Sequence, residues 1–456
     1  AEGLEDARFF GEKLGQFEAD WRAWRLDEVW ARPEDFFMES LTKMAGQRTL
    51  GLNAIRANPK IISHSLTGAI DHVMCGEGLT TLFRELKPGT IDAMYDAGAP
   101  LRWCLFAEPV HVVRGAPIHL EAVLADEDVL KPGQYPLRLQ VIGPNLTRIL
   151  DRTLTVTIPK RAGKEEPALA TPYFAEDVAI DGPSGKYRFL ATFERGAAAA
   201  GGATEFYVSD PAEMPAVETE VVLWGDDPGL ARWLAGQEIR TRPFSPLPPA
   251  KEGPGVRGPG ATIGPQREVI LASATPPAPG GAPAFAELAR RIARGSTVVF
   301  LCPQVFANGD QPTAWLPLAG KGTLRPIRGW LYLKDEWAKR HPIFEGLPSG
   351  GLMDYTYYRE IIPDLVWTGQ DPPGEAVAGA IKASQDYASG LMLSVHTLGG
   401  GRFVINTLSI RENLQTHPAA ERLLRNMLAY AARDTAQPAV ALPVDFDKQL
   451  AAMGLQ

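Results

Sequence analysis

The spacing of apolar residues changes twice along the chain, and no single layer of structure satisfies all three patterns. In the first hundred residues the period is three to four. Phe10, Leu14, Phe17, Trp21 and Trp24 fall on one helical face. Phe37, Leu41, Met44, Leu52 and Ile55 form a second stripe after Pro33, Glu34 and Asp35, which mark a helix start. From about 106 to 210 the period drops to two, through Ile118, Leu120, Ala122 and Leu124, then Leu137, Leu139 and Val141, then Leu154, Val156 and Ile158, then Tyr187, Phe189, Ala191 and Phe193. Five or more short strands separated by turn formers predict an antiparallel, immunoglobulin-like β-sandwich. From 219 to 434, strand-like runs (221–224, 269–272, 297–301, 391–396, 403–407) alternate with helical ones (227–235, 284–293, 418–432). That alternation predicts a doubly wound, mostly parallel α/β sheet.

The chain has 456 residues, enough for about two to four domains with cores of their own. Its formal charge of −8, with no basic stripe, argues against a nucleic-acid partner. No run of eighteen apolar residues crosses a membrane. The opening AEGLEDARFF has neither a basic nor an apolar signal region, so no uncleaved signal is expected there, and secretion of a parent protein stays open. Cys75, Cys104 and Cys302 lack metal or disulfide spacing and read as small buried residues, so no metal or other cofactor is expected. The Pro/Gly-rich stretch 243–265 reads as a long loop, and the tail 435–456 as a strap or a loose end.

The run IISHSLTGAIDHVMCGEGLTTLFRELKPG resembles the end of the catalytic (β/α)8 barrel in glycoside hydrolase family 2, the β-galactosidase, β-glucuronidase and β-mannosidase group. Thr67, Asp71, Gly78, Leu79, Lys87 and Pro88 match that pattern, whereas His64 stands where the family has an aromatic or small residue. APLRWCLFAEP and the following strands are similar to the sandwich after the barrel. HPIFEGLP and GGGRFVINTLSIRENLQTHPAAERLLRNMLAY resemble a glutamine-amidotransferase-like (flavodoxin-like) domain that follows the sandwich in some long glycosidases. The resemblance implies a barrel end at 1–105, the sandwich at 106–212, the amidotransferase-like domain at 219–434 and a tail at 435–456. It also implies retaining hydrolysis of terminal β-linked sugars by a parent enzyme, secreted or periplasmic.

Retaining glycosidases use two carboxyl groups about 5 Å apart. In the resembling family these lie at the fourth and seventh barrel strands, so both are expected before Ala1, and no catalytic residue is expected within the chain. The expected partners are a carbohydrate substrate and an upstream barrel portion, in the same protein or in a partner chain. A homo-oligomer is compatible with the sequence. A non-catalytic carbohydrate-binding or assembly module, and an amidotransferase-like enzyme, are the alternatives.

Asp71, His72 and Glu77 sit at the expected strand end, where barrel enzymes place substrate contacts; the competing reading is a solvated loop. His64 is expected in the core or behind such a site. Asp126, Glu127 and Asp128 lack the glycine-containing spacing of a calcium loop and read as an exposed turn. Asn145–Leu146–Thr147 fits a glycosylation sequon. Cys302 follows a strand but precedes Pro303 with no nearby glycine, which argues against a nucleophile elbow. His341 and His396 read as structural, and Gly399 to Gly401 as a tight turn. Trp21, Trp24 and Trp233 are expected in cores, with Trp103, Trp330 and Trp367 open as surface platforms for a sugar.

Overall fold

The computed structural model describes residues 5–66, 68–71, 76–160, 168–245, 266–278, 280–327, 334–383 and 386–456. It combines a β-sandwich with a large mixed α/β sheet. Helices α1 (Glu5–Ala23) and α2 (Pro33–Arg56) form where expected, α2 with Pro33 in its first turn and the Asp35 carboxylate reaching back to the Arg32 N–H. The stripes hold only in part: Phe17, Met44 and Leu52 are buried, whereas Phe10, Leu14 and Phe37 are exposed and Phe36 is buried in place of Phe37. The helices do not cover a barrel. Phe17, Leu26, Trp30 and Phe36 cluster with Trp337, Ile381 and Leu391 of the α/β sheet, and the Trp24 and Trp337 rings lie 5.8 Å apart.

The expected barrel strand is not formed. Residues 61–66 are exposed and carry no strand pairing, and Ile70 makes only an isolated bridge to Thr80. A strand needs a neighbour for its N–H and C=O groups, and none lies beside this run among the described residues. No helix forms over residues 80–86. The Thr81 hydroxyl accepts from the N–H groups of Phe83 and Glu85, and Arg84 adopts a left-handed φ of 64°, which interrupts a helix. Helix α3 (Thr90–Ala97) closes the segment against α2.

The sandwich comprises β1 (Leu101–Glu108), β2 (His111–Val113), β3 (Pro117–Asp126), β4 (Gly133–Ile142), β5 (Arg148–Ile158), β6 (Ala170–Ala179), β7 (Gly185–Phe193), β8 (Ala200–Gly201) and β9 (Ala203–Ser209). One sheet runs β6-β3-β1-β8 and the other β2-β9-β7-β4-β5. Alternate residues point inward, so Ile118, Leu120, Leu137, Leu139, Val141, Tyr187, Phe189 and Phe206 are fully buried between the sheets. Trp103 and Trp367 are buried too, which removes them as surface platforms; Trp330 lies outside the described residues.

The third region holds β10 (Val221–Trp224), α4 (Pro228–Gly236), β11 (Thr241–Pro243), β12 (Val269–Ala272), α5 (Gly281–Ala293), β13 (Thr297–Phe300), β14 (Lys321–Pro326), β15 (Asp335–Ala338) and β16 (Gly351–Leu352). It continues with β17 (Leu365–Gln370), β18 (Glu375–Lys382), β19 (Ala388–Leu398), β20 (Gly401–Asn406), α6 (Ile410–Asn413), α7 (Pro418–Ala432) and α8 (Phe446–Ala452). Its main path is β11-β10-β12-β13-β20-β19-β18-β15-β16. Strands β11, β10, β12, β13 and β20 are parallel, but β19, β18, β15 and β16 are antiparallel, so the sheet is not mostly parallel. The reason is local: the turn at Gly399 and Gly400 joins β19 to β20 with Leu398 opposite Gly401, and so short a loop connects only antiparallel strands. The tail docks through α8, burying Phe446, Leu450, Met453 and Leu455.

Candidate functional site

The parallel strands order their C-terminal ends into one edge. Successive connections leave β10 in opposite directions there, to β11 on one side and β12 on the other. Such a switch point leaves a crevice between diverging loops, the usual ligand position in open α/β sheets. Here it measures about 230 Å³ and is lined by Trp224, Gly225, Asp226, Asp227, Arg242 and Ser273 among others. Gly225, at φ 102°, brings its backbone against the Thr275 carbonyl; a Cβ there would lie 2.2 Å from that oxygen.

Asp227 is already committed. Its carboxylate caps α4 through the Leu230 N–H at 2.8 Å and takes a bidentate pair from Arg411 at 2.7 and 2.8 Å. The Arg411 hydrogen bonds hold its pKa below the ordinary carboxylate value. Cys302 follows β13 and is 6% exposed, with extended backbone (φ −131°, ψ 133°) rather than a strained turn. Burial, joined by the Glu412 charge against the opposing Arg411 guanidinium, pushes its thiol up to about 12. No hydrogen bond links its sulfur to a base among the described residues. Buried Asn406 donates to the Leu301 and Leu408 carbonyls, at 2.9 and 3.0 Å, tying the ends of β13 and β20 together.

Two of the three residues expected on a sugar-subsite wall can be placed; His72 and Cys75 lie outside the described residues. Asp71 Oδ1 accepts from Lys87 Nζ and the Gly78 N–H, each at 2.7 Å. The ammonium is 5% exposed, so the pair braces the 69–89 loop from within. Glu77 sits in the same loop, its carbonyl accepting from Arg48. Around Lys87 the loop brings together Asp71 and the Gly76 carbonyl, while the Glu77 backbone is held by Arg48 of α2. His64 is exposed, contrary to a core position. The Asp126 carboxylate accepts from the Val129 and Leu130 N–H groups, forming a turn, and Asn145 is exposed. His341 caps a 3-10 turn and pairs with Glu375 at 2.7 Å, while His396 stacks on Phe403.

Sequence reasoning missed the junction between the sandwich and the α/β sheet. The acidic and aromatic run from Asp354 to Glu360 was its available signal. Tyr207 donates to Asp354, and Arg359 holds Glu108 of β1 with two bonds at 3.1 and 2.8 Å. His111, 2% exposed, meets Ser209 Oγ at 2.7 Å, lies 4.5 Å from the Tyr357 ring and 4.8 Å from His417. Burial, with His417 beside it, pushes the His111 imidazole down to about 3. His417 Nε2 stands 3.4 Å from Glu360 Oε2, and His417 with Arg359 holds the Glu360 carboxyl down to about 2 against the opposing effect of burial. Beside this network, α2, β1, β9 and the 355–359 turn enclose a cleft of about 480 Å³ carrying Phe106, Glu108, Glu205, Tyr355 and Arg359. Tyr355 crosses α2 at Gly46, where a Cβ would come within 2.4 Å of its hydroxyl.

No family model and no curated protein matches the chain. Among solved structures, an exo-β-1,4-mannosidase from Opitutaceae bacterium strain TAV5 aligns over 49% of this chain and 36% of its own, at 12% identity and a TM-score of 0.25. A Paenibacillus cycloisomaltooligosaccharide glucanotransferase aligns over 30% of this chain and 18% of its own, at 13% identity and TM-score 0.17. A CARDB domain from Pyrococcus furiosus aligns over 25% of this chain and 88% of its own, at 15% identity and TM-score 0.18. The chain thus spans about a third of the mannosidase and under a fifth of the glucanotransferase. At these scores the likenesses are distant, and the functional argument rests on the site itself.

Proposed function

We propose that this chain is a non-catalytic, carbohydrate-holding portion of a glycoside hydrolase resembling family 2, with an amidotransferase-like α/β sheet that has no amidase chemistry. The state of Cys302 carries the reading. A nucleophilic thiol must ionise near neutral pH beside a base, whereas Cys302 is buried, pushed up to about 12 and placed on extended backbone. Three carboxylates at these sites are already paired: Asp71 with Lys87, Asp227 with Arg411 and Glu108 with Arg359. Retaining hydrolysis of a terminal β-linked sugar then belongs to carboxylates of a barrel upstream of Ala1. The 60–97 segment supports such a partner. Ile62, Phe83 and Tyr95 are 84, 85 and 86% exposed there, large apolar side chains open to packing on protein.

Within the chain, the junction cleft is the carbohydrate subsite. Phe106 and Tyr355 offer aromatic surface, and Glu108, Glu205 and Arg359 offer hydrogen-bonding groups for hydroxyls. The test uses the chain as given. It turns over neither aryl β-glycosides nor glutamine, yet binds a β-linked galacto-oligosaccharide by calorimetry, and Tyr355→Ala weakens that binding about tenfold. Turnover of either substrate overturns the non-catalytic reading; unchanged affinity in Tyr355→Ala removes the subsite from the cleft.

A further inference from the structure

The opposite edge of the parallel sheet carries a larger crevice that the proposed function does not use. The N-terminal ends of β10, β12 and β13, the end of α5 and the chain after α7 enclose about 660 Å³. Four guanidinium groups line it, from Arg242, Arg267, Arg291 and Arg294, against two carboxylates, Glu220 and Glu268. Two of these cations are balanced. Arg242 donates to Glu220 at 3.0 Å and also reaches Glu268. Arg291 donates to Glu268 at 2.5 Å and to Glu287 at 3.2 Å. The other two have no carboxylate partner among the described residues. Among these, half-buried Arg267 donates to backbone, to the Pro438 carbonyl at 3.1 Å and the Gly400 carbonyl at 3.5 Å. The half-buried Arg294 guanidinium has no hydrogen-bond or ion-pair partner among the described residues, and the adjacent Asp434 is taken by Arg402 at 3.0 Å.

Two uncompensated guanidinium groups in a concave, partly desolvated wall attract an anion more strongly than the same groups in open water. Their planar forks match sulfate and phosphate oxygens in pairs. A single such ion does not fill a crevice of this volume, so there is room for two anionic groups on a sugar-sized body. We propose that this crevice binds a small oligoanion carrying sulfate or phosphate ester groups, with Arg294 as the free fork and Arg267 as the second cation. Arg242 and Arg291, locked by Glu268, form the rigid wall beside them. This inference does not depend on the chemistry of Cys302 or on the junction cleft.

Calorimetry at low ionic strength on the full chain tests it with three probes: inorganic pyrophosphate, a disulfated β-linked disaccharide and the same disaccharide without sulfate. The anions bind and the neutral sugar does not, or binds at least about tenfold more weakly, and the anion affinities fall as salt is raised. Preference for the sulfated sugar identifies a sulfated saccharide as the source, and preference for pyrophosphate a phosphorylated one. Arg294→Ala lowers anion affinity about tenfold or more, as loss of a charge-assisted pair requires, and Arg294→Lys restores part of it. Because its side chain has no partner among the described residues, both variants keep the parent melting temperature. Absence of anion binding, equal binding of the neutral sugar, or unchanged anion affinity in Arg294→Ala overturns the proposal.

Discussion

A thiol with a pKa of about 12 is ionised in about one molecule in ten thousand at pH 8, against about one in ten for a thiol at the ordinary value of 9.0. Alkylation runs through the thiolate, so Cys302 in the folded chain reacts with iodoacetamide about a thousandfold more slowly than in the urea-unfolded chain. Peptide mass spectrometry over a time course reads Cys302 separately from Cys75 and Cys104. The cause of the shift gives a second arm. Glu412 is the charge that most raises the thiol pKa, and Arg411 lowers it. Glu412→Gln therefore speeds labelling and Arg411→Met slows it. Folded-chain labelling within about tenfold of the unfolded rate refutes the reasoning and reopens amidase chemistry at this position. If neither charge variant moves the rate, burial alone protects the sulfur and the electrostatic account fails.

Other consequences concern how the layers are held. Lys43 of α2, 5% exposed at its side chain, donates to Glu336 at 2.7 Å and lies 3.6 Å from Asp335 on β15. Lys43→Met leaves buried Asp335 without its cation and Glu336 with Lys334 alone, at 3.3 Å, and urea denaturation followed by Trp fluorescence registers a loss of about 3–5 kcal/mol; under about 1 kcal/mol contradicts the pairing. The His111 imidazole, down at about 3 when folded against 6.5 ordinarily, takes a proton more readily in the unfolded chain. Its contribution to stability is present above pH 6.5 and is lost progressively as pH falls toward 3, by about 2 kcal/mol at pH 5. Asp335, pushed up to about 6 by burial, acts with the opposite sign between its ordinary 3.8 and 6. Comparing His111→Gln with the parent isolates the histidine: the variant has the shallower slope below pH 6.5, and parallel curves refute the assignment.

Much of the sandwich was legible because its strands obey a rule written in adjacent residues. Leu137, Leu139 and Val141 face the core because side chains alternate across a strand, whatever pairs with it. Cys302 was legible for a similar reason, since Pro303 beside it constrains the backbone locally. The junction was not. His111 lies 249 residues before Glu360 and 306 before His417, and the three meet only when two layers dock, so no spacing rule joins them.

 Likewise Lys43 reads as a solvated position on an amphipathic helix until β15 supplies Glu336.

The first hundred residues show why a correct period can still mislead about architecture. Periodicity fixes which face of a helix is apolar, not what covers it. Phe17 and Trp24 were read as part of a barrel end, yet the surface that covers them is Trp337, Ile381 and Leu391, more than 300 residues later in the chain. The antiparallel half of the sheet is what makes this possible. Its strands β15, β18 and β19 present a broad apolar face, and α1 and α2 take the place that a crossover helix takes on the parallel half. The 61–66 run then has no strand beside it and stays exposed. A helix pair that already has its own sheet does not need a barrel for its core, so any contact with a barrel falls to the exposed apolar side chains of the 60–97 segment, Ile62, Phe83 and Tyr95, rather than to α1 and α2.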